Sequence, residues 1–255
     1  MAEFDAIAKW YDFDYDTRMR HDIPFWLACA RDGGDPVLEL GAGTGRVTAA
    51  LARAGFHVSA VELSAKMLEL AEKRFARLGP LRGSARLVRG DMADLRVHGR
   101  FGTVLVPFHA FHHLLTVDRQ LAALRGIRRR LAPEGLAVIS LFRPDVPELL
   151  SYDGKLVVAY ERKRPRTGTR VVQRFRMAVD LEKQIGLIDY YWDEYRGKRR
   201  IGRDHAPMRW RWFHRFEFEH LLARAGLRTA RVVGDYDGRR FDGTCDEMIF
   251  FAAQA

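Results

Sequence analysis

A glycine-rich turn near residue 43 carries the residues of this chain best suited to chemistry. Val37–Leu40 is a short apolar run interrupted only by Glu39, and it leads directly into Gly41-Ala42-Gly43-Thr44-Gly45. A strand that enters such a turn and leaves it as a helix suits a nucleotide. Glycine lets the backbone turn tightly and leaves no Cβ between the chain and a ligand. The spacing narrows the choice of nucleotide. A dinucleotide fingerprint needs G-x-G-x-x-G, but the sixth position is Arg46 counted from Gly41 and Thr48 counted from Gly43. A phosphate loop needs G-K-[ST], and no such lysine follows. Pyrophosphate is therefore disfavoured.

The turn has to be held by a sheet. Residues 36 to 141 alternate between β-rich apolar runs and helical patterns, which predicts a parallel sheet covered by helices. Strands are expected at 37–40, 57–61, 85–88, 103–106 and 136–141. Helices are expected at 44–54, closed by Gly55, and from an N-cap at Ser64 to about Leu78. A third, basic-faced helix is expected at 118–131, ahead of Pro133 and Gly135. After residue 150 the pattern changes to antiparallel strands at 155–161, 170–179 and 185–195. In the second of these Val171, Gln173, Phe175, Met177 and Val179 share one face, and Arg170, Arg174 and Arg176 share the other. A helix at 216–225 and strands at 227–233 and 247–252 then return to the main sheet. The expected fold is α/β: a Rossmann-like seven-stranded sheet from residues 1–150 and 206–255, with a small antiparallel β insertion at 151–205 as a substrate lid.

Glu39-x-Gly41-x-Gly43-x-Gly45 resembles the first motif of class I S-adenosylmethionine-dependent methyltransferases. The pattern is closest to their small-molecule members, the glycine and amino-sugar N-methyltransferases. The likeness runs in order over residues 10 to 142. Glu62 closes the second strand, Gly90-Asp91-Met92 follows the third, and Leu131-x-Pro133-x-Gly135 precedes the fifth. The resemblance implies S-adenosyl-L-methionine as cofactor, its aminoacyl end held by Glu39, Gly41, Ala42 and Gly43. It also implies that Glu62 accepts hydrogen bonds from both ribose hydroxyls, that Asp91 takes the adenine amino group, and that Met92 lies over the ring. Leu63, Met67, Pro107 and Phe108 complete the implied contacts. In the N-terminal segment Trp10 to Arg20, Tyr11 or Tyr15 would line the cleft and Arg20 would pair with the methionine carboxylate.

Pro107-Phe108-His109-Ala110-Phe111-His112-His113-Leu114 follows the fourth strand, and ligands of open α/β sheets sit at the carboxyl ends of strands. Displacement at a sulfonium carbon needs an aligned acceptor lone pair, sometimes exposed by a base. A near-neutral histidine can be that base. His109 is nearest the strand end and is the candidate, with Tyr11 and Tyr15 as further catalytic candidates. His112 and His113 are expected to begin the next helix. Plain packing competes with each of these roles. Metal-dependent catechol-type members carry an acid where this chain has Val106-Pro107, so no metal is expected. The Asn-Pro-Pro-Tyr/Phe signature of enzymes that modify DNA adenine is missing.

Composition frames the acceptor question. Between Lys155 and Arg215 stand 17 Lys/Arg against 7 Asp/Glu, which accounts for the whole net charge of +10. This stretch is either a surface for nucleic acid or an acidic substrate, or a solvated basic face. Tyr190, Tyr191, Trp192, Tyr195, Trp210, Trp212 and His214 interleave with those bases, as packing or as stacking platforms. Lys198-Arg199-Arg200 would face a phosphate if the acceptor carries one. Cys29 and Cys245 make no disulfide framework, and neither a secretory leader nor a membrane run is visible, so a cytoplasmic enzyme is expected. The expected function is methyl transfer from S-adenosylmethionine to a small acceptor, on an amine nitrogen in preference to oxygen. An RNA methyltransferase using the basic insertion and a non-catalytic S-adenosylmethionine-binding protein are the alternatives.

Overall fold

A computed structural model describes residues 3–15, 20–164 and 167–255. Seven strands form the main sheet: β1 (Val37–Leu40), β2 (His57–Glu62), β3 (Ser84–Arg89), β4 (Phe101–Val106), β5 (Leu131–Phe142), β10 (Leu227–Val233) and β11 (Glu247–Gln254). Their order is β10-β11-β5-β4-β1-β2-β3. β1 to β5 pair in parallel, and β11 runs antiparallel to both of its neighbours. β1 and β4 are buried along their whole length, as strands covered on both faces must be.

The helices follow from capping and from their apolar faces. In α4 (Ala65–Phe75) the Ser64 side chain accepts the Met67 N–H, and in α5 (Val117–Arg130) Thr116 caps Arg119 in the same way. Both helices end slightly short of their expected bounds. Helix α3 (Arg46–Ala54) starts two residues later than expected, because Gly45 adopts a left-handed conformation at its N-cap. α2 (Ile23–Gly33) and α3 cover one face of the sheet. α5 and α7 (Arg215–Arg224) pack together with α7 against β10, and a short α6 (Val146–Ser151) leads out of β5.

Four strands, β6 (Leu156–Lys163), β7 (Arg170–Asp180), β8 (Ile185–Arg196) and β9 (Arg199–Arg211), form a separate antiparallel sheet in that order. The sequence reading missed β9, whose charges, Gly202 and Pro207 hide it. As an edge strand it tolerates a proline that lacks a ladder donor. The inner face of this sheet packs on α1 (Phe4–Tyr15) through Trp10, Trp192, Tyr160, Val171 and Met208. Trp10 and Trp192 stack with their rings 6.0 Å apart and 2° from parallel. Two carboxylates fasten the pair. Buried Asp14 accepts the Trp192 indole N–H at 3.1 Å and the Tyr160 hydroxyl, and Asp204 accepts the Trp10 indole N–H at 2.9 Å.

The outer face of the sheet holds much of the basic excess. Asp193, fully buried, accepts from Arg203 at 2.7 Å and pairs with Arg174, while Arg200 lies 3.5 Å away. Arg170 pairs with Glu161 and lies over Tyr195. No helix among the described residues is long and apolar enough to cross a membrane.

Candidate functional site

The chain leaves β1 and β2 on one side and returns through β4 on the other, so the carboxyl ends of β1 and β4 flank the point where strand order reverses. Open α/β sheets bind ligands in that crevice. A cleft of about 260 Å³ opens there, between the two strand ends, α1 and the inner edge of the antiparallel sheet.

The glycine turn forms its floor. The Gly41 and Ala42 N–H groups both donate to the Val61 carbonyl, at 2.8 and 3.1 Å. Gly41 has φ +72°, and a Cβ there would stand 2.6 Å from that of Ala110 across the crevice, so only glycine fits. Gly43, at φ +57°, donates its N–H to Glu62 Oε2 at 2.8 Å, and Ser64 donates to Oε1 at 2.8 Å. Burial pushes the Glu62 carboxyl up, against the pull of the Ser64, Gly43 and Leu63 N–H groups. The two carboxylate oxygens have four lone pairs between them, so Glu62 retains acceptor capacity for a further donor.

Beneath the turn, Glu39 is buried and accepts the Thr48 hydroxyl at 2.6 Å. Burial raises its carboxyl to about 7, with the Thr48 bond and the Arg46 charge opposing. Arg46 lines the cleft and grips fully buried Asp22 with two nitrogens, at 2.5 and 2.7 Å. On the β3 side, Asp91 accepts the Ala93 N–H at 2.8 Å and pairs with Arg119 at 2.7 Å. Leu63 stands half exposed at the mouth, and Met92 packs near Gly41.

The opposite half is aromatic. Tyr11 and Tyr15 descend from α1 into the cleft, and burial pushes both phenols well up, so they donate hydrogen bonds rather than take protons. Tyr15 bonds Tyr190, whose phenol burial raises to about 12, and packs edge-on against Phe108. Phe108 and His109 have φ of +47° and +61°. Successive bulky residues in left-handed conformation cost about 1–3 kcal/mol each, and such strain clusters at functional sites. His109 Nε2 lies 2.8 Å from Glu247 Oε2 and 2.9 Å from Oε1. Phe142, Met208 and Trp210 complete this half of the lining.

The other two histidines have structural partners. His112 and His113 close a 3₁₀ turn (Ala110–His113) rather than opening α5. His112 Nδ1 donates to the Arg211 carbonyl at 2.6 Å, and its Nε2 accepts the Phe142 N–H at 3.2 Å. Burial, with His109 nearby, holds it well below the usual histidine range. His113 donates to the Arg209 carbonyl at 2.9 Å, and burial lowers it to about 4. Both pin the segment after β4 to β9.

The cleft thus gathers Tyr11, Tyr15, Glu39, Gly41, Ala42, Gly43, Glu62, Leu63, Asp91, Met92, Pro107, Phe108 and His109. Met67 is fully buried under α1 and does not line it, and the side chain of Arg20 lies outside the described residues. Sequence reasoning missed Arg46, Arg119, Phe142 and Glu247. Arg46 carried the clearest signal, since it follows the glycine turn immediately. Glu247 carried none, because only β11's antiparallel entry into the sheet brings it to His109. Lys198, Arg199 and Arg200 lie at the far turn of the antiparallel sheet and do not line the cleft.

Known proteins resemble this chain throughout. A family model described as a methyltransferase domain matches residues 37–135. The cypemycin N-terminal methyltransferase of a Streptomyces species is 30% identical over 226 residues, which cover 88% of this chain and 85% of that protein. The CcbJ methyltransferase from Streptomyces caelestis superposes with a TM-score of 0.85 at 26% identity, covering 100% of this chain and 98% of the other. The S-adenosylmethionine-bound amino pentose methyltransferase CalS10 from Micromonospora echinaspora superposes with a TM-score of 0.72 at 25% identity, covering 96% of each chain.

Proposed function

The chain belongs to the class I S-adenosylmethionine-dependent methyltransferases, and we propose that it methylates an amine nitrogen of a small-molecule acceptor. When bound, S-adenosylmethionine supplies a methyl group activated by a sulfonium sulfur. The glycine-turn half of the cleft suits that cofactor. Its Cβ-free turn leaves room beside Gly43, Glu62 keeps acceptor capacity for a ribose hydroxyl, and Asp91 with Met92 offers a polar edge and an apolar face for adenine. Glu39 and Arg46, the latter held from behind by buried Asp22, form the wall that would meet the aminoacyl end.

The aromatic half is where an acceptor would lie. One observation carries the reading: His109, held by Glu247, faces the cleft across from the glycine turn among Tyr15, Phe108, Tyr190 and Trp210. In that setting the chain's own residues orient the acceptor and exclude water, and proximity supplies much of the rate. Relatives named for a peptide N-terminus and for an amino pentose support nitrogen as the acceptor atom.

Arg170, Arg174, Arg200 and Arg203 of the antiparallel sheet are tied to Glu161 or Asp193 on its outer face, which weighs against a nucleic-acid acceptor in the cleft. The test is S-adenosylhomocysteine formation in a screen of amines, amino sugars, nucleotides and RNA. Turnover with an amine supports the reading. Turnover with RNA alone overturns it.

A further inference from the structure

We infer that the acceptor enters as an ammonium ion with no carboxylate or phosphate beside its nitrogen, and that a His109–Glu247 dyad removes its proton. The inference rests on the amine reading above.

The geometry fixes one tautomer. Both oxygens of Glu247 lie within 2.9 Å of His109 Nε2, so that nitrogen carries the hydrogen and donates. Nδ1 then keeps its lone pair, has no hydrogen-bond partner among the described residues, and belongs to a ring that lines the cleft. Phe108 stacks on this ring at 5.4 Å, and Phe142 meets it edge-on at 5.6 Å, which sets its plane.

Glu247 is itself held in place. Ser140 Oγ donates to it at 3.1 Å, and the Tyr236 hydroxyl lies 3.0 Å from the same Oγ. Burial beside Glu247 keeps the Tyr236 phenol protonated, so the chain of donors runs from Tyr236 through Ser140 to the carboxylate. Among the described residues, the other titratable groups around the ring are His112, His113, Tyr15 and Tyr190. The two histidines bond backbone atoms, and the two phenols stay protonated.

An alkyl ammonium has no lone pair to offer until a proton leaves. At the dyad the acceptor N–H bond breaks, its electron pair remains on nitrogen, and the proton passes to Nδ1. The resulting imidazolium lies against the Glu247 carboxylate, which stabilises it. The walls favour the cation before this step, since aromatic faces attract ammonium groups. Among the described residues, the arginines that line the cleft each hold an acid toward its cofactor end, Arg46 with Asp22 and Arg119 with Asp91. Among the described residues no lysine or arginine lines the aromatic half, so an anionic group beside the nitrogen would meet Glu247 with no counter-charge from them.

The test is ring-¹⁵N histidine NMR on the full chain saturated with S-adenosylhomocysteine, whose binding is first confirmed by calorimetry. The expected wild-type spectrum shows His109 as the Nε2–H tautomer. Glu247→Gln, whose amide oxygen still accepts, keeps that tautomer, and Glu247→Leu loses it. Cyclohexylammonium should shift the His109 Nδ1 resonance, and 1-aminocyclohexanecarboxylate should not. An Nδ1–H tautomer in the wild type, or equal response to the two probes, overturns the inference. Failure to bind S-adenosylhomocysteine overturns the cofactor reading instead, so the two failures are distinguishable.

Discussion

Glu247 holds His109 Nε2 at 2.8 Å although 138 residues separate them, and the carboxylate reaches it only because β11 enters the sheet antiparallel beside β5. The relationship predicts a split in kinetics. With an acceptor identified by screening, Glu247→Gln should lower kcat about a hundredfold and leave KM within about twofold, since the lost interaction acts on proton removal. An equal rise in KM with kcat unchanged would show that Glu247 acts only in binding.

Glu62 supports the turn as well as facing the cleft. Its oxygens accept the Gly43 and Ser64 N–H groups, so Glu62→Ala should cost about 1–3 kcal/mol of stability as those donors lose their partner. Cofactor affinity should fall by more than tenfold in the same variant. Thermal melts with and without S-adenosylhomocysteine separate the effects: unchanged ligand-induced stabilisation would remove the ribose role.

Glu39 predicts a proton released on binding. Its carboxyl lies near 7 in the folded protein because of burial, so part of the population is protonated at neutral pH. A cofactor ammonium placed beside it favours the charged form and expels that proton. Calorimetry near pH 6.5 in two buffers of different ionisation heat should record net proton release, absent in Glu39→Gln. Equal heats in both buffers would contradict the placement of the aminoacyl end. The same burial has a stability consequence. The folded chain holds this proton more tightly than the unfolded one, so Glu39 costs stability as pH rises from about 4 to about 7, a slope that Glu39→Gln removes.

Asp193 should govern acid sensitivity of the antiparallel sheet. The hydrogen-bonded Arg203 leads in holding its carboxyl below the usual range, with Arg174 and Arg200 adding to the effect. A depressed folded-state value means that this stability is present above about pH 4 and is lost as pH falls through the folded value. Asp193→Asn should lower Tm at pH 7 and flatten the acid limb of the melting profile. A Tm within about 1 °C of wild type would show that the arginine cluster contributes nothing.

Much of this arrangement was legible in the residues. The glycine turn, Glu62 and Asp91 could be placed because each closes a local strand-turn unit whose pattern lies within a few residues. Ser64 was readable as a cap for the same reason. What stayed hidden depends on distant pairing. Glu247 and Phe142 reach the cleft through the β5–β11 ladder, and the edge strand that carries Trp210 there is disguised by its proline and arginines. Met67 shows the opposite failure. It sits one turn from the cleft, yet the packing of α1 on α4 buries it away from the lining. The basic stretch was visible as charge, but only the β7–β8–β9 register shows its arginines converging on Asp193.

The central claim is that this cleft joins S-adenosylmethionine to an amine. Its most direct test is to identify the methylated atom by NMR in the product of the best acceptor from the screen, with S-adenosylhomocysteine quantified alongside. The account predicts an N-methyl product formed in equal amount with S-adenosylhomocysteine. An O-methyl product, or cofactor binding without turnover across every amine tested, would contradict it.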